Sequence, residues 1–266
     1  TETDYTTHHI QKVLGIFAAM QQFGDALQKQ KHNVIYIKLN GQNNFQSFDK
    51  NCDFLIIKHQ FTQFEYQLPD EYRVDEHLKK FAQSLIIPTK VVDTEHFYST
   101  RNELGILFEG KKTYLMETFY RYMRKKHNVL IVNGDKPLHG QWNFDEDNRQ
   151  KLPKEHKPTL PFLFENNVSE IEKEIKIANI KTIGTVDVKN FLWPINREQS
   201  LQLLDFFVKE CLPLFGTFQD AMAPNEWSLY HSRLSFSMNI KLISPQEVVN
   251  KAIEEYNLRP EEIEFN

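Results

Sequence analysis

Two serines and a leucine near the C-terminal end of the sequence have the chemistry to hold a phosphate group. They lie in His231–Phe236 (HSRLSF), here called the serine motif, at the start of a probable helix. Hydroxyls and free amides at a helix start suit an anion, because they face the positive end of the helix dipole. Ordinary helix capping by Ser232 or Ser235 would produce the same pattern, so the residues alone leave both interpretations open.

Two further stretches combine aromatic, amide and acidic side chains. The tryptophan loop, Gly140–Arg149 (GQWNFDEDNR), contains Trp142 and Phe144, whose rings would anchor a polar loop against a domain. The glycine turn, Phe215–Met222 (FGTFQDAM), contains a glycine that permits close backbone approach. Either stretch could serve packing or binding, and the residues alone do not decide.

Cations are concentrated in the basic helix end, Arg121–His127 (RYMRKKH). A solvated helix end explains them, because cations stabilise the negative end of the helix dipole. A contact with DNA phosphates is the alternative. Adjacent His8 and His9 point in different directions on a helix, which disfavours a metal pair. The remaining histidines considered as ligands lack suitable spacing: His96, His127 and His139.

The composition is typical of a globular protein with a sizeable core. The 266 residues carry a net charge of -4, whereas nucleic-acid-binding domains are usually basic. Cys52 and Cys211 form no CxxC pair, so we expect free thiols and no metal site. No apolar run approaches the roughly 20 residues of a membrane span, and no signal peptide is evident. We therefore expect a cytoplasmic protein without membrane contact.

Hydrophobic periodicity predicts alternating helices and strands in the first half of the chain. Helices are predicted at 8–30, 70–83, 111–126, 169–180, from 196 onward and from Ser244. Strands are predicted at 34–37, 53–57 and 89–92, with another short apolar run at 129–132. The alternation favours one parallel sheet with both faces covered. At the later helix starts, Asn196 with Gln199 and Ser244 with Glu247 match a capping box.

These elements predict an α/β domain at 1–135, an interdomain linker at 136–195 and an all-α domain at 196–266. Five prolines interrupt the linker, from Pro137 to Pro194. The first helix has no strand before it to complete a βαβ unit. We therefore expect that the first strand of the α/β domain is missing.

The order and spacing of the three motifs resemble the bacterial iron–sulfur cryptochrome/photolyase family, of the prokaryotic (6-4) type. The resemblance extends to His8-His9 and to Met116–Arg121 (METFYR), and it covers nearly the whole chain. The combination of the tryptophan loop, the glycine turn and the serine motif is far more specific than any one of them. The family fold implies a parallel, Rossmann-like antenna domain, a linker and the start of an all-α FAD-binding domain.

The resemblance also implies cofactors and their positions. It places Glu2 and Tyr5 at the pocket of a ribityl-lumazine antenna, and Ser232, Leu234 and Ser235 against the FAD pyrophosphate. The family carries a 4Fe-4S cluster, but Cys52 and Cys211 match none of its ligands. We expect the cluster cysteines, the catalytic residues and most flavin contacts to follow this stretch. The chain alone would then bind FAD weakly and be inactive.

The activity that the resemblance implies is light-driven repair of UV-induced pyrimidine dimers. Reduced FAD, excited by light, donates an electron to a flipped-out lesion, and the protein supplies orientation and electrostatics. The implied partner is UV-damaged DNA, and we expect a monomer. Two alternatives remain: a cryptochrome-like blue-light photoreceptor without repair activity, and a non-catalytic nucleotide-binding α/β domain. The second would leave the serine motif unexplained.

Overall fold

Helices form most of the regular structure, with short strands between them. The computed structural model describes residues 2–144 and 146–265, with the backbone alone for Glu2 and Asp4. The elements up to residue 107 are α1 (Glu2–Tyr5), β1 (His8–His9), α2 (Ile10–Lys29), α3 (Phe48–His59), β2 (Phe64–Gln67), α4 (Tyr72–Ser84), β3 (Thr89–Val92) and α5 (Glu103–Leu107). Those that follow are α6 (Met116–Lys126), β4 (Ile131–Val132), β5 (Lys136–Pro137), α7 (Ser169–Ile177), β6 (Thr182–Ile183), α8 (Arg197–Phe206), α9 (Leu212–Phe218), α10 (Ser235–Asn239) and α11 (Pro245–Leu258).

The strands pair as three separate two-stranded sheets. β1 pairs with β6 and β2 with β3, both in parallel, whereas β4 and β5 are antiparallel. The α/β class with parallel pairing is therefore confirmed. Among the described residues the strands do not join into one sheet, and all four residues of β3 are exposed, so a single sheet covered on both faces is not observed.

Two predicted strands are absent because their apolar runs adopt other conformations. Residues 53–57 lie inside α3, which ends at Gln60 in the left-handed conformation. A short apolar run has no periodicity that distinguishes a strand from a helix, and packing decides. Residues 34–37 have no regular secondary structure and no strand partner among the described residues.

The chain packs into two compact units. The first unit comprises 1–94 and 163–196, and the second unit comprises 95–162 and 197–266. The limit at 196–197 adjoins the predicted start of the helical domain at 196. Residues 163–196, which lie within the segment predicted as a linker, supply core residues to the first unit.

The core of the first unit forms on α2. The apolar residues of α2 recur at helical spacing and are buried, which confirms the predicted amphipathic helix. They pack against Val168, Ile175 and Phe191 from the 163–196 segment. Phe191 also pairs with Asn166, each backbone N–H donating to the other residue's carbonyl. The core residues from α2 are Ile10, Val13, Leu14 and Ala18.

The core of the second unit forms on α8 and the chain that continues it. Residues 207–211 widen into a π-helical turn before α9 begins. The predicted stripe of this helix is buried and is therefore confirmed: Leu203, Leu204, Phe207, Val208 and Cys211. α6 begins five residues later than the predicted start at 111, whereas its end at Lys126 agrees.

The capping box predicted for α11 is confirmed. Ser244 accepts a hydrogen bond from the Glu247 N–H, and Glu247 accepts one from the Ser244 N–H at 2.8 Å. Pro245 occupies the first helical position, where a missing N–H costs nothing. Among the residues described, no helix is long and apolar enough to cross a lipid bilayer.

Removing the Glu247 carboxylate is expected to weaken folding in a pH-dependent manner. Arg197 donates hydrogen bonds to this carboxylate and is the main reason that the pKa of Glu247 falls to about 2, from an ordinary 4.5. A lowered pKa stabilises the folded state above pH 4.5, and the stabilisation is lost as the pH falls through 2. Since Glu247 is about one-third exposed, we expect Glu247→Gln to cost only about 1 kcal/mol at pH 7.

The measurement is the free energy of unfolding in urea at pH 7 and at pH 3. The difference between wild type and Glu247→Gln should shrink at the lower pH. Glu254→Gln serves as the control. It removes another carboxylate of the same helix, and among the described residues that carboxylate pairs only with Lys251, at 3.6 Å. Equal effects of the two variants at both pH values would contradict the prediction.

Candidate cofactor site in the second unit

The tryptophan loop and the glycine turn lie side by side. The Gln150 N–H, just after the loop, donates to the Thr217 carbonyl, and the Asp220 N–H donates to the Asn148 carbonyl, both at 3.2 Å. Arg149 adds an ion pair with Asp220 at 3.6 Å between exposed side chains. Two motifs that are about 70 residues apart in the sequence are therefore joined by backbone hydrogen bonds.

A stack of aromatic rings connects the glycine turn to the serine motif. Phe218 stacks on Tyr230, which immediately precedes the motif, with ring centroids 5.8 Å apart. His156 lies 5.6 Å from Phe218 and is hydrogen-bonded to the Tyr230 hydroxyl. Burial raises the pKa of Tyr230, so the hydroxyl stays protonated. No sequence pattern points to His156, because it lies in an irregular, proline-rich segment.

The two serine hydroxyls of the serine motif lie on either side of a buried leucine in the sequence. Leu234 is fully buried, Ser232 is half-buried and Ser235 is exposed at the start of α10. The Ser232 hydroxyl accepts only a long hydrogen bond, from the Leu234 N–H at 3.5 Å. The expected helix start is therefore confirmed, and strong capping by Ser232 is not observed. Both hydroxyls keep donor capacity for a ligand.

Arg233 fixes the conformation of the serine motif. Its backbone is left-handed, with φ of 56°, which costs free energy for a residue other than glycine. The guanidinium donates to the Phe162 carbonyl at 2.6 Å and lies 5.4 Å from the centre of the Trp227 ring. Burial lowers the pKa of Arg233 from its ordinary value. The residue types of the serine motif do not reveal this positioning role of Arg233.

The cysteines of the chain do not fit an iron–sulfur cluster. Such a cluster needs four thiolates. Cys211 is buried in the second unit, and burial raises the pKa of its thiol to about 11. Cys52 is half-buried in the first unit, and its pKa is raised by burial too. Among the described residues, no three histidine, cysteine or acidic side chains converge on a possible metal position.

The predicted antenna residues lie in the first unit, on α1. Tyr5 is half-exposed, and the Arg73 guanidinium lies 3.4 Å from the centre of its ring. Arg73 is held in turn by Glu71 at 2.6 Å. One face of the Tyr5 ring is thus covered by a cation, and the His8 ring lies edge-on to it with ring centroids 6.2 Å apart. The side chain of Glu2 lies outside the described part of the chain.

Comparisons with known proteins give a consistent result. Residues 1–193 match the family described as deoxyribodipyrimidine photo-lyase-related protein. A protein named (6-4) photolyase from Agrobacterium fabrum is 30% identical over 258 residues, which are 96% of this chain and 50% of that protein. An uncharacterized protein of Acanthamoeba polyphaga mimivirus is 27% identical over 151 residues, which are 53% of this chain and 71% of that protein. The chain spans about half the length of the Agrobacterium relative.

Proposed function

Because the chain belongs to the deoxyribodipyrimidine photo-lyase-related protein family, we propose that the protein repairs UV-induced pyrimidine dimers in DNA with light and FAD. The observation that carries the proposal is the similarity over 96% of the chain to a protein named (6-4) photolyase. The convergence of the three motifs in the second unit supports it, because motifs that share one site should lie together in the fold.

The serine motif fits a diphosphate. A buried diphosphate needs several hydrogen-bond donors to replace water, and hydrogen bonds to a charged group are stronger than those between neutral groups. The Ser232 and Ser235 hydroxyls and the first amides of α10 are such donors, while the buried Leu234 fixes the distance between them. When bound, FAD would supply light absorption and the electron that splits the lesion. The residues of this chain would bind and orient its diphosphate.

Further parts of the proposal rest on the family alone. A Rossmann-like antenna domain at 1–135 would bind a ribityl-lumazine near Glu2 and Tyr5, and the accessible part of the Tyr5 ring is compatible with a planar ligand. Residues 136–195 would form the interdomain linker and 196–266 the first helices of the FAD domain. The protein would act on UV-damaged DNA as a cytoplasmic monomer. Since Cys52 and Cys211 do not fit a 4Fe-4S cluster, a cluster of the family's kind would need ligands other than these two cysteines.

Replacing both serines with alanine is expected to lower FAD affinity by about tenfold or more. The double variant Ser232→Ala/Ser235→Ala removes two hydrogen bonds to a charged group, each worth about 1.5–3 kcal/mol. The measurement is FAD retention and titration by fluorescence, on protein expressed from the complete reading frame. The fold should be unchanged by circular dichroism, because the Ser232 hydroxyl accepts only a long hydrogen bond among the described residues and Ser235 is exposed.

Ser237→Ala provides the matched control. Its hydroxyl belongs to the same helix but is fully buried and bonded to Ser200 at 3.0 Å, so FAD affinity should not change. A double variant that holds FAD as tightly as wild type would contradict the assignment of the serine motif. The repair of dimer-containing oligonucleotides under blue light tests the function itself. Flavin binding without repair of either dimer type would favour a photoreceptor instead.

A further inference from the structure

The basic helix end converges with the tryptophan loop on a single aromatic ring. The side-chain charges of Arg121, Arg124 and Lys125 lie 5.3, 5.0 and 5.7 Å from the centre of the Trp142 ring. These residues come from the last turns of α6, whereas Trp142 comes from a separate loop. A solvated helix end would account for the cations but not for the ring placed among them.

Two of the four cations in the basic helix end have structural roles. Arg124 is buried and donates to the Val129 and Leu130 carbonyls at 3.1 and 2.8 Å, which fixes the turn after α6. Lys126 is paired at 2.5 Å with the buried Glu103. Arg124 is therefore committed to the fold, and the charge of Lys126 is balanced by Glu103.

The other two cations are exposed and only weakly neutralised. Arg121 pairs with Glu117 at 2.7 Å, but both side chains are nearly half exposed, so the pair contributes little and exchanges readily. Lys125 is exposed and has no carboxylate within ion-pair distance among the described residues. The two cations are four residues apart, so they project from one face of the helix.

A bound anion would reduce the electrostatic repulsion among the cations around Trp142. Three like charges around one ring repel each other, and only Arg121 has a carboxylate partner in the described part of the chain. The ring attracts cations through its negative face but carries no charge to balance them. An extended polyanion fits two exposed cations one helical turn apart better than a single small anion does. DNA is the polyanion that the proposed function supplies.

We propose that Arg121 and Lys125, whose charges both lie close to the Trp142 ring, contact successive phosphates of one DNA strand. The inference rests on the proposed function, since that function brings DNA to the protein. Phosphate contacts position a protein on DNA without reading its sequence. This surface would therefore increase affinity for damaged and undamaged DNA by the same factor, and recognition of the lesion would come from other residues.

The test measures binding of fluorescein-labelled duplex DNA, with and without a (6-4) lesion, over a series of salt concentrations. Arg121→Gln/Lys125→Gln removes both charges and keeps good helix formers. Loss of two phosphate contacts should reduce the magnitude of the negative slope of log affinity against log salt by about 1.8, and should lower affinity at about 0.1 M salt by about tenfold or more. The loss should be equal for the two duplexes. Lys125→Gln alone should give about half the change in slope.

Lys209→Gln/Lys251→Gln is the charge-matched control. It removes two exposed or half-exposed cations from the second unit but away from Trp142, and the slope should stay near that of wild type. Equal slopes for wild type and Arg121→Gln/Lys125→Gln would overturn this inference alone, as would an equal loss in the control. A loss confined to damaged DNA would also overturn it. Wild-type protein that binds neither duplex would overturn the DNA component of the proposed function too.

Discussion

Replacing Gly184 with alanine is expected to lower the free energy of unfolding by about 1.5–4 kcal/mol. Gly184 has a φ of +78°, a left-handed conformation that disfavours any side chain. A Cβ atom built there would lie 1.8 Å from Nε2 of His9 and 2.2 Å from its Cδ2. No rotation of the new methyl group relieves that overlap, so the histidine ring or the backbone must move.

The His9 ring cannot move without further cost. Its Nδ1 accepts a hydrogen bond from the Gln11 N–H at 3.2 Å and caps α2, which carries the core of the first unit. Loss of a helix cap costs about 0.5–2 kcal/mol. The backbone of His9 is held as well, because it pairs in register with Ile183 of β6. Because His9 is exposed, its ring can turn aside, but turning it breaks the hydrogen bond that caps α2.

Urea denaturation measures the effect, and two comparisons isolate its cause. Gly134 has a φ of +81° with no atom within 4 Å of a built Cβ, so Gly134→Ala should show only the backbone cost of about 1–2 kcal/mol. In a His9→Ala background, Gly184→Ala should cost no more than that. Gly184→Ala with the same small effect as Gly134→Ala would show that the ring is not held in place.

Replacing Glu103 with alanine is expected to cost about 2–4 kcal/mol. Glu103 is only 5% exposed and accepts hydrogen bonds from Lys126 and from the Thr100 N–H at 2.9 Å. Its removal leaves the lysine without its counter-ion and the amide without an acceptor. Breaking a buried pair costs about 3–5 kcal/mol, and the range is lower here because the end of Lys126 remains partly in water.

The Glu103 pair should also make stability depend on pH. The hydrogen bond from Lys126 is the largest reason that the pKa of Glu103 is lowered from 4.5. A lowered pKa means that the stabilisation is complete above pH 4.5 and is lost as the pH falls below that value. The difference between wild type and Glu103→Ala should therefore shrink in acid, as measured by urea denaturation.

Glu117→Ala is the control for Glu103. It breaks the exposed pair with Arg121 on α6, and we expect an effect below about 1 kcal/mol. Equal losses for Glu103→Ala and Glu117→Ala at neutral pH would mean that Glu103 is solvated in solution. A difference that persists unchanged in acid would mean that the Glu103 side chain stabilises by packing rather than by charge.

Local patterns predicted several helices correctly because the information lies within each element. α2, α4, α7 and α11 carry apolar residues at helical spacing, and Ser244 with Glu247 marks the start of α11. The same patterns failed at 34–37 and 53–57. A run of four or five apolar residues fits a strand or one turn of a helix equally well, so its neighbours decide.

The sequence by itself determined the class of the chain, the family that it resembles and the motifs that define a candidate FAD site. The hydrophobic periodicity and the caps of a helix depend only on residues within that helix, and the order and spacing of the motifs can be read directly from the sequence. Only the tertiary structure decided that the tryptophan loop pairs with the glycine turn, and that residues 163–196 complete the core on α2. It also decided that the His9 ring fills the space beside Gly184. Each of these contacts joins segments roughly 70 to 180 residues apart, and such contacts depend on how the whole chain buries its apolar surface.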